Sequence, residues 1–413
     1  YETFLAEYDP EEREKRGVYY TPEQVVSYIV RSLHIILKKY FGLEDGLANE
    51  NVTILDPAGG TLTFLAEIIR QAVMEFVSKY GEGGKEELIK NLSDDYVQEF
   101  LNLKENYMWR VSKARRDLMN VKNWEQHFTK ILYRPFDIRH IFYHPSVVWR
   151  TRRNVMRHLM KDNLAICVGR AGHVVGADKP WNIVFCSEMI EDFNLFYRGG
   201  NVNFPLYIYS NQDKLLNINT ALLKSLENIY GTTPLPEEIL YYVYSILYSS
   251  FYREKYAEFL KTDFPRIPFT KDYKSFINIG KLGKKLVDLH LMKSVELSNP
   301  ITKFQGSGDN AIERPVYIED KERIRINKTQ YFEGIEKDVW EYQIGGYQVL
   351  SKWLKDRKGR KLSLGDIKHY CKIATALKRT IDIQDEIDEL YLDVENDVLE
   401  FKEKNENLEE YVK

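Results

Sequence analysis

The chain has 413 residues, of which 44% are hydrophobic and 29% charged; this fits two or three globular domains and excludes a largely disordered chain. Its net charge of −3 conceals an asymmetry: residues 104–161 hold 14 Lys/Arg against 4 Asp/Glu, and residues 382–413 hold 13 Asp/Glu against 3 Lys. The sequence has no run of 18 apolar residues, no signal-peptide pattern and no cysteine framework, which favours a cytoplasmic protein without a membrane partner.

The first predicted elements are a helix and a strand–turn–helix unit. Thr21-Pro22-Glu23 is typical of a helix start, with a capping Thr, a Pro at the first position and an acid in the first turn. An apolar strand over residues 52–55 then ends at Asp56, and a helix begins at Phe64 after a Pro/Gly/Thr turn. Such a unit places backbone N–H groups and a carboxylate around a small polar ligand. It lacks the three glycines or the Lys-Ser/Thr pair of pyrophosphate loops, which disfavours a dinucleotide or ATP.

Residues 64–118 carry a mainly helical pattern, in two segments separated by a Gly-rich turn. Strand candidates are scarce there, whereas a doubly wound sheet needs several parallel strands. We therefore expect a gap in the fold near residues 91–95, where a segment of roughly 150–200 residues is either truly deleted or disordered and left out of this sequence.

The basic segment 104–161 predicts contact with nucleic acid. Its second half mixes arginines with Tyr, Trp and His. Arginine can form a bidentate fork to phosphate or to a guanine edge, and aromatic rings offer stacking surfaces. For any single arginine a structural ion pair is an equally good interpretation, but four acids cannot neutralise 14 cations. The candidate DNA-binding residues are Arg134, Arg139, Arg150, Arg152, Arg153, Arg157 and Arg170.

Beyond residue 161 the pattern predicts a mixed α/β region that becomes helical. The predicted elements are strands at 183–186 and 205–209, a Tyr-rich helical stretch over 236–260 that belongs to the core, a hairpin or irregular linker over 309–330, and a turn at Gly345-Gly346 before a helix with Trp353. Leu390, Val394, Val398 and Phe401 are spaced as one face of a C-terminal helix whose other face is acidic. The histidines lack the spacing of metal ligands, so no catalytic metal is expected.

Two motifs resemble those of amino-group DNA methyltransferases that use S-adenosylmethionine. They are Gly17-Val-Tyr-Tyr-Thr-Pro and Asp56-Pro-Ala-Gly-Gly-Thr-Leu-Thr-Phe, in which Leu62 stands where that family usually has glycine. The resemblance implies that both segments wall the cofactor pocket. The residues it implies for S-adenosylmethionine binding are Tyr19, Tyr20, Thr21, Asp56, Ala58, Gly60, Thr61 and Phe64.

Later motifs resemble, in the same order, the target-recognition region of type ISP and type IIG single-chain restriction–modification enzymes. They are Tyr133-Arg-Pro-Phe-Asp-Ile-Arg, Trp149-Arg, Asn203-Phe-Pro-Leu-Tyr, Asp263-Phe-Pro-Arg-Ile-Pro-Phe, Gly345-Gly-Tyr-Gln-Val-Leu and Lys352-Trp-Leu-Lys-Asp-Arg-Lys-Gly-Arg. The resemblance implies an incomplete Rossmann-like α/β methyltransferase domain in residues 1–130. A mixed α/β target-recognition domain with a helical C-terminus would follow in residues 131–413.

The implied activity is transfer of a methyl group from S-adenosylmethionine to an exocyclic amino group, with adenine N6 favoured, on a base flipped out of duplex DNA. The implied partners are double-stranded DNA and nuclease or helicase-like domains or subunits. The Asn/Asp/Ser-Pro-Pro-Tyr/Phe motif that such enzymes use for catalysis does not occur, so no catalytic residue is assigned. No Walker A motif occurs either, so no ATPase activity is expected.

Two other functions stay open. One is a DNA-binding recognition module without methyltransferase activity, which the missing tetrapeptide and Leu62 favour. The other is a methyltransferase that acts on RNA or protein, against which the basic segment and the ordered recognition motifs argue.

Overall fold

The computed structural model describes residues 23–49, 52, 94–95, 98, 105, 109–148, 150–169, 181–197, 200–210 and 213–400. The chain divides into two compact units, residues 1–117 and 118–413. Each unit has a hydrophobic core of its own among these residues. Within the same ranges, no helix combines the length and the apolar composition that crossing a bilayer requires.

In the first unit, helix α1 (Glu23–Phe41) packs on a short 3-10 turn (Gly46–Ala48) through a small apolar cluster. His34 is buried in this contact, and its Nδ1 accepts a hydrogen bond of 3.2 Å from the backbone N–H of Leu47. The helix predicted to start near Thr21 is therefore present from Glu23 onwards, whereas Thr21 itself lies outside the described residues.

The remaining helices and the strands follow in chain order. After α2 (Val111–Met119), the helices are α3 (Arg153–Leu159), α4 (Thr220–Tyr230), α5 (Pro236–Tyr248), α6 (Ser250–Lys255), α7 (Ala257–Leu260), α8 (Tyr273–His290), α9 (Lys337–Glu341), α10 (Val349–Lys355) and α11 (Leu364–Asn396). The strands are β1 (Phe128–Arg134), β2 (Asp137–Phe142), β3 (Ala165–Gly169), β4 (Val184–Ser187), β5 (Asn201–Pro205), β6 (Tyr207–Ser210), β7 (Asp213–Leu216), β8 (Lys303–Gln305), β9 (Val316–Ile318), β10 (Arg323–Arg325), β11 (Tyr331–Glu333), β12 (Gln343–Ile344) and β13 (Tyr347–Gln348).

These strands form several small sheets, in the orders β1-β2, β4-β3-β5, β6-β7, β8-β11-β10-β9 and β12-β13. All pairs of these strands are antiparallel. The strands predicted at 183–186 and 205–209 are confirmed as β4 and β6. Of the two alternatives for 309–330, a hairpin or an irregular linker, the structure has a hairpin of β9 and β10. The mixed α/β character and the helical C-terminus are thus confirmed. The Rossmann-like sheet was predicted for residues 1–130, most of which lie outside the described ranges.

The main core is built around α5, α8 and α11, and it contains the Tyr-rich stretch, as predicted. A buried hydrogen-bond chain joins the three helices: Tyr244 Oη lies 2.7 Å from His290 Nδ1, and His290 Nε2 lies 3.0 Å from Thr380 Oγ1. The Thr380 hydroxyl donates to the carbonyl of Ala376, so we infer that His290 carries its proton on Nε2 and accepts from Tyr244. Burial lowers the pKa of His290 to about 3, which keeps the imidazole neutral.

Helices α5 and α8 approach closely at Gly283. A Cβ atom at this position would lie 1.9 Å from the Tyr241 carbonyl oxygen. Gly280, one turn earlier, has room: a Cβ there would lie 3.6 Å from the Glu238 carbonyl oxygen. Of these two glycines, only Gly283 is therefore required for the close contact between the helices.

The helical stretch predicted over 236–260 is interrupted at Ser249, whose backbone is extended (φ −61°, ψ 125°). Its hydroxyl accepts a hydrogen bond from the Tyr252 N–H and donates one of 2.6 Å to the carboxylate of Asp388. The serine ends α5 and caps α6, so the stretch is several helices rather than one.

The predicted C-terminal helix is confirmed as α11, but its end differs from the prediction. The helix ends at Asn396, and Val398 instead forms an antiparallel bridge with Thr270. The apolar spacing therefore does not describe one buried helix face: Val398 is 36% exposed in the extended segment after the helix, and its neighbour Leu399 is buried. Phe401 lies outside the described residues.

Candidate nucleic-acid interface

The hairpin of β1 and β2 carries two of the candidate arginines. Arg134 is buried, and its Nη1 lies 2.7 Å from Asp192 Oδ1. The guanidinium groups of Arg134 and Arg139 both lie over the Tyr133 ring, at 3.9 and 3.7 Å from its centroid. These contacts hold the hairpin against the segment that contains Asp192.

Asp137 is the buried carboxylate of this hairpin, with 1% of its side chain exposed. Its two oxygens accept hydrogen bonds from Arg139 Nη2 (2.8 Å) and Arg357 Nη2 (2.7 Å). Burial opposes ionisation most strongly, yet the hydrogen bonds and charges of the two arginines together hold the pKa of Asp137 below its ordinary value. Arg139 and Arg357 thus act as partners of a buried acid, and they tie the hairpin to the end of α10.

Residues 150–157, which we call the arginine loop, lead from the hairpin into α3. Arg150 and Arg152 both have left-handed backbone conformations, with φ of 55° and 50°. Between them, the Thr151 carbonyl accepts a hydrogen bond from the Tyr143 hydroxyl. The Arg152 carbonyl accepts the Val155 and Met156 N–H groups at 3.0 and 3.1 Å. The surrounding structure therefore fixes a conformation that residues other than glycine seldom adopt.

A small separate core supports the arginine loop. Tyr143 and Met156 pack there with Leu159, Ala165 and Ile190, which joins the hairpin and α3 to strand β3. The arginine loop is thus anchored by a packed apolar core.

Arg152, Arg153 and Arg157 present exposed cations at this loop. Within the part of the chain that the structure describes, none of the three is ion-paired with a carboxylate. Arg150 is exposed as well. A cluster of exposed cations creates a positive potential that attracts a polyanion.

A cleft of about 330 Å³ opens beside the arginine loop. Its lining combines apolar side chains of the hairpin and α3 with the polar side chains of Glu191, Asn201 and Asn203. Arg150 and Arg152 also line it, so two cations adjoin a cavity with both apolar and polar surfaces.

Glu191 is the buried acid of the cleft. Its Oε1 accepts a hydrogen bond from the Cys167 thiol (2.7 Å), and its Oε2 accepts one from Asn201 Nδ2 (3.0 Å). Burial raises the pKa of Glu191 to about 8, even though both hydrogen bonds favour the ionised form. Burial and the adjacent Glu191 raise the pKa of the Cys167 thiol, so the thiol remains a donor at neutral pH.

The structure gathers four of the seven candidate arginines in the arginine loop and places Arg134 and Arg139 in ion pairs of the hairpin. Arg170 lies outside the described residues. So do all the residues expected to bind S-adenosylmethionine: Tyr19, Tyr20, Thr21, Asp56, Ala58, Gly60, Thr61 and Phe64. Their roles stay predictions. Across the described ranges, no three His, Cys, Asp or Glu side chains come together as a possible metal site.

Sequence reasoning missed Glu191, Asn201 and Arg357. The alternation Asn201-Val202-Asn203 signals a strand with one polar face. No local signal pairs Asn201 with Glu191, and Arg357 reaches Asp137 from 220 residues further along the chain. Such partners become evident only once the chain is folded.

Comparison with known proteins identifies the family. A model of the Type ISP C-terminal specificity domain matches residues 62–386, more than half of the chain. The chain belongs to this family. A model of the N-6 DNA methylase family matches residues 1–89 of this Type ISP protein. A search of curated proteins found no match.

Solved structures of similar fold include two type ISP enzymes. "ATP-dependent Type ISP restriction-modification enzyme LlaBIII bound to DNA" is 22% identical with a TM-score of 0.55, over 73% of this chain and 21% of that one. A nuclease-deletion mutant of the Type ISP enzyme LlaGI, in complex with a DNA substrate mimic, is 18% identical with a TM-score of 0.51, over 77% and 26% of the two chains. The DrdV–DNA complex is 22% identical with a TM-score of 0.56, over 77% and 33%. The Type ISP specificity chain thus spans about a fifth to a third of these proteins.

Proposed function

We propose that this chain binds double-stranded DNA through the arginine loop and serves as the sequence-recognition part of a restriction–modification methyltransferase. One observation carries the proposal: a Type ISP specificity domain holds three exposed arginines that pair with no acid among the described residues. The LlaBIII, LlaGI and DrdV structures contain DNA, which supports DNA as the polyanion.

The arginines have different roles in this proposal. Arg150, Arg152, Arg153 and Arg157 contact phosphates and set the position of the protein on the duplex, and one or two of them read bases. Arg134 and Arg139 act mainly by holding the hairpin, because both are paired with acids. Arg170 is retained as a further DNA contact on the strength of the sequence alone.

We further propose that residues 1–130 belong to a Rossmann-like methyltransferase domain and residues 131–413 to the target-recognition domain. In the intact protein, a methyl group of S-adenosylmethionine would pass to an exocyclic amino group of a flipped base, with adenine N6 favoured. The match of residues 1–89 to N-6 DNA methylases supports this activity. The cofactor residues rest on sequence resemblance, and the cytoplasm is the proposed location.

A second candidate is a recognition module that binds DNA without methylating it. The absence of an Asn/Asp/Ser-Pro-Pro-Tyr/Phe tetrapeptide from the sequence favours it. Both candidates bind DNA through the arginine loop, and they differ only in whether the protein transfers a methyl group.

Transfer of tritium from methyl-labelled S-adenosylmethionine to a mixed-sequence plasmid distinguishes them, with duplex binding measured on the same preparation. Label in adenine after DNA digestion supports the methyltransferase. Duplex binding without label supports the recognition module. Failure to bind duplex DNA at low salt contradicts both.

A further inference from the structure

The cleft beside the arginine loop has the surfaces of a ligand site. Its volume of about 330 Å³ lies within the range of roughly 300–1,000 Å³ that small-molecule pockets occupy. Apolar lining with a few convergent polar groups is the usual composition of such pockets.

We propose that the cleft binds one unstacked nucleotide, with its base between the hairpin and strand β5 and its phosphate at Arg150 and Arg152. The proposal rests on the proposed DNA-binding function and names a ligand for the same surface.

The walls match the two kinds of surface that a base presents. Ile131 and Ile141 of the hairpin and Val155 of α3 offer apolar contact to its flat faces. Asn203 offers its amide nitrogen as a donor to the polar edge of the base, and Asn201 offers its amide oxygen as an acceptor, because Asn201 Nδ2 already donates to Glu191 and Asn203. Asn203 Oδ1 lies 3.4 Å from Asn201 Nδ2, and no described residue accepts a hydrogen bond from the Asn203 amide nitrogen.

An aromatic ring completes the site. Phe193 lines the cleft and is 52% exposed, so it presents a stacking surface of the kind that single-stranded nucleic-acid sites use. Gly200 makes room for this ring: its φ is 76°, and a Cβ there would lie 2.5 Å from the ring carbon Cζ of Phe193.

The acids of the cleft do not oppose an anionic ligand. Asp192 is paired with Arg134 at 2.7 Å. Glu191 is 6% exposed and hydrogen-bonded on both oxygens, and its raised pKa of about 8 leaves it mostly protonated at neutral pH. The exposed charges at the cleft are therefore the cations of Arg150 and Arg152.

Photo-crosslinking with the full chain tests the site. The probe is a duplex that carries one mismatched 5-iododeoxyuridine, because a mismatched base leaves the stack at low cost. Free 5-iododeoxyuridine monophosphate is a second probe that needs no duplex binding. The variant Val155→Trp fills the cleft from an exposed position, and Asn154→Trp adds the same bulk to α3 at a residue that does not line it. Asn203→Leu, which removes the amide at similar size, is a second variant.

We expect cross-linked peptides from residues 131–156 or 191–203. Per bound duplex, Val155→Trp and Asn203→Leu should lower the cross-linking yield about tenfold, whereas Asn154→Trp should leave this yield unchanged. If excess deoxynucleoside monophosphates abolish the duplex cross-link, the occupant is a free nucleotide; if the cross-link persists, it is a nucleotide of the DNA strand.

Cross-links outside these segments, or a yield that Val155→Trp leaves unchanged, would overturn the proposal even if the duplex binds. Failure of duplex binding would instead contradict the proposed function, and the free nucleotide would still test the cleft.

Discussion

Glu191 shows how a single buried residue makes stability depend on pH. The folded chain holds the Glu191 proton up to a pKa of about 8, whereas the unfolded chain releases it near the ordinary glutamate value of about 4.3. Between these values the folded state binds more protons than the unfolded state. The free energy of unfolding therefore falls as pH rises through this window, and it levels off above it.

The variant Glu191→Gln removes this titration. We compare the free energy of unfolding of the variant with that of wild type at pH 5 and at pH 8. The difference, variant minus wild type, should be about 3 kcal/mol larger at pH 8, because one unit of pKa shift corresponds to about 1.36 kcal/mol. Urea unfolding at both pH values measures the difference. Glu227→Gln, at an exposed position of α4, is the control and should give no such change; an equal pH dependence in the Glu191 variant and wild type would contradict the argument.

Arg152 and Arg153 are adjacent cations with different backbone conformations. Arg152 is left-handed with φ of 50°, whereas Arg153 is the first residue of α3. Arg152→Gly should leave the free energy of unfolding unchanged or raise it by up to about 1 kcal/mol, because glycine adopts the left-handed region freely. Arg153→Gly should lower it by up to about 1 kcal/mol. Both should weaken duplex binding, as measured by fluorescence anisotropy; a clear loss of stability in Arg152→Gly would show that its side chain also supports the fold.

At the scale of elements, Asp137 fixes the hairpin through two arginines that approach from different parts of the chain. Asp137→Asn should lower the free energy of unfolding by about 3 kcal/mol, because it leaves Arg357, which is 16% exposed, and the partly buried Arg139 without their buried acid. Asp356→Asn is the matched control: Asp356 is 36% exposed and 3.7 Å from Arg139, so its loss should change stability by less than about 1 kcal/mol. Similar urea midpoints for the two variants would refute the structural role of Asp137.

The packing of α5 on α8 gives a second matched pair. Gly283→Ala should destabilise the chain by about 3 kcal/mol or more, because its Cβ would meet the Tyr241 carbonyl at 1.9 Å. Gly280→Ala should be neutral or stabilising by up to about 1 kcal/mol, because alanine favours the helix and space is present. Thermal unfolding followed by circular dichroism compares them, and equal melting temperatures would refute the close approach of the helices.

The sequence predicted those helices and strands whose formation depends on residues close together in the chain. Strand runs, apolar spacing and the Gly345-Gly346 turn depend on neighbouring residues, and the strands β4 and β6 and helix α11 were predicted from such local patterns. The break at Ser249 depends on Asp388, 139 residues away, and Val398 leaves the helix to pair with Thr270. Neither partner is visible in a local pattern.

At the scale of the whole molecule, charge composition predicted a basic surface but not how its arginines divide. Sequence placed Arg134 and Arg152 in one cluster, whereas the fold buries the first against Asp192 and exposes the second. The ordered recognition motifs all lie within residues 62–386, which match the Type ISP specificity domain, and they indicate the same family. The cofactor residues lie outside the described ranges and remain predictions.

The most direct test of DNA binding by the arginine loop is the salt dependence of affinity for a mixed-sequence duplex. The triple variant Arg152→Gly, Arg153→Ala and Arg157→Ala should weaken binding and make the plot of log affinity against log salt shallower by roughly 3, about 0.9 for each lost phosphate contact. A control with equal loss of charge is Arg314→Ala, Arg325→Ala and Lys328→Ala, which changes exposed cations outside the loop; its slope should match wild type. A triple variant with the wild-type slope, or a control with the same reduction, would contradict the assignment of DNA binding to the arginine loop.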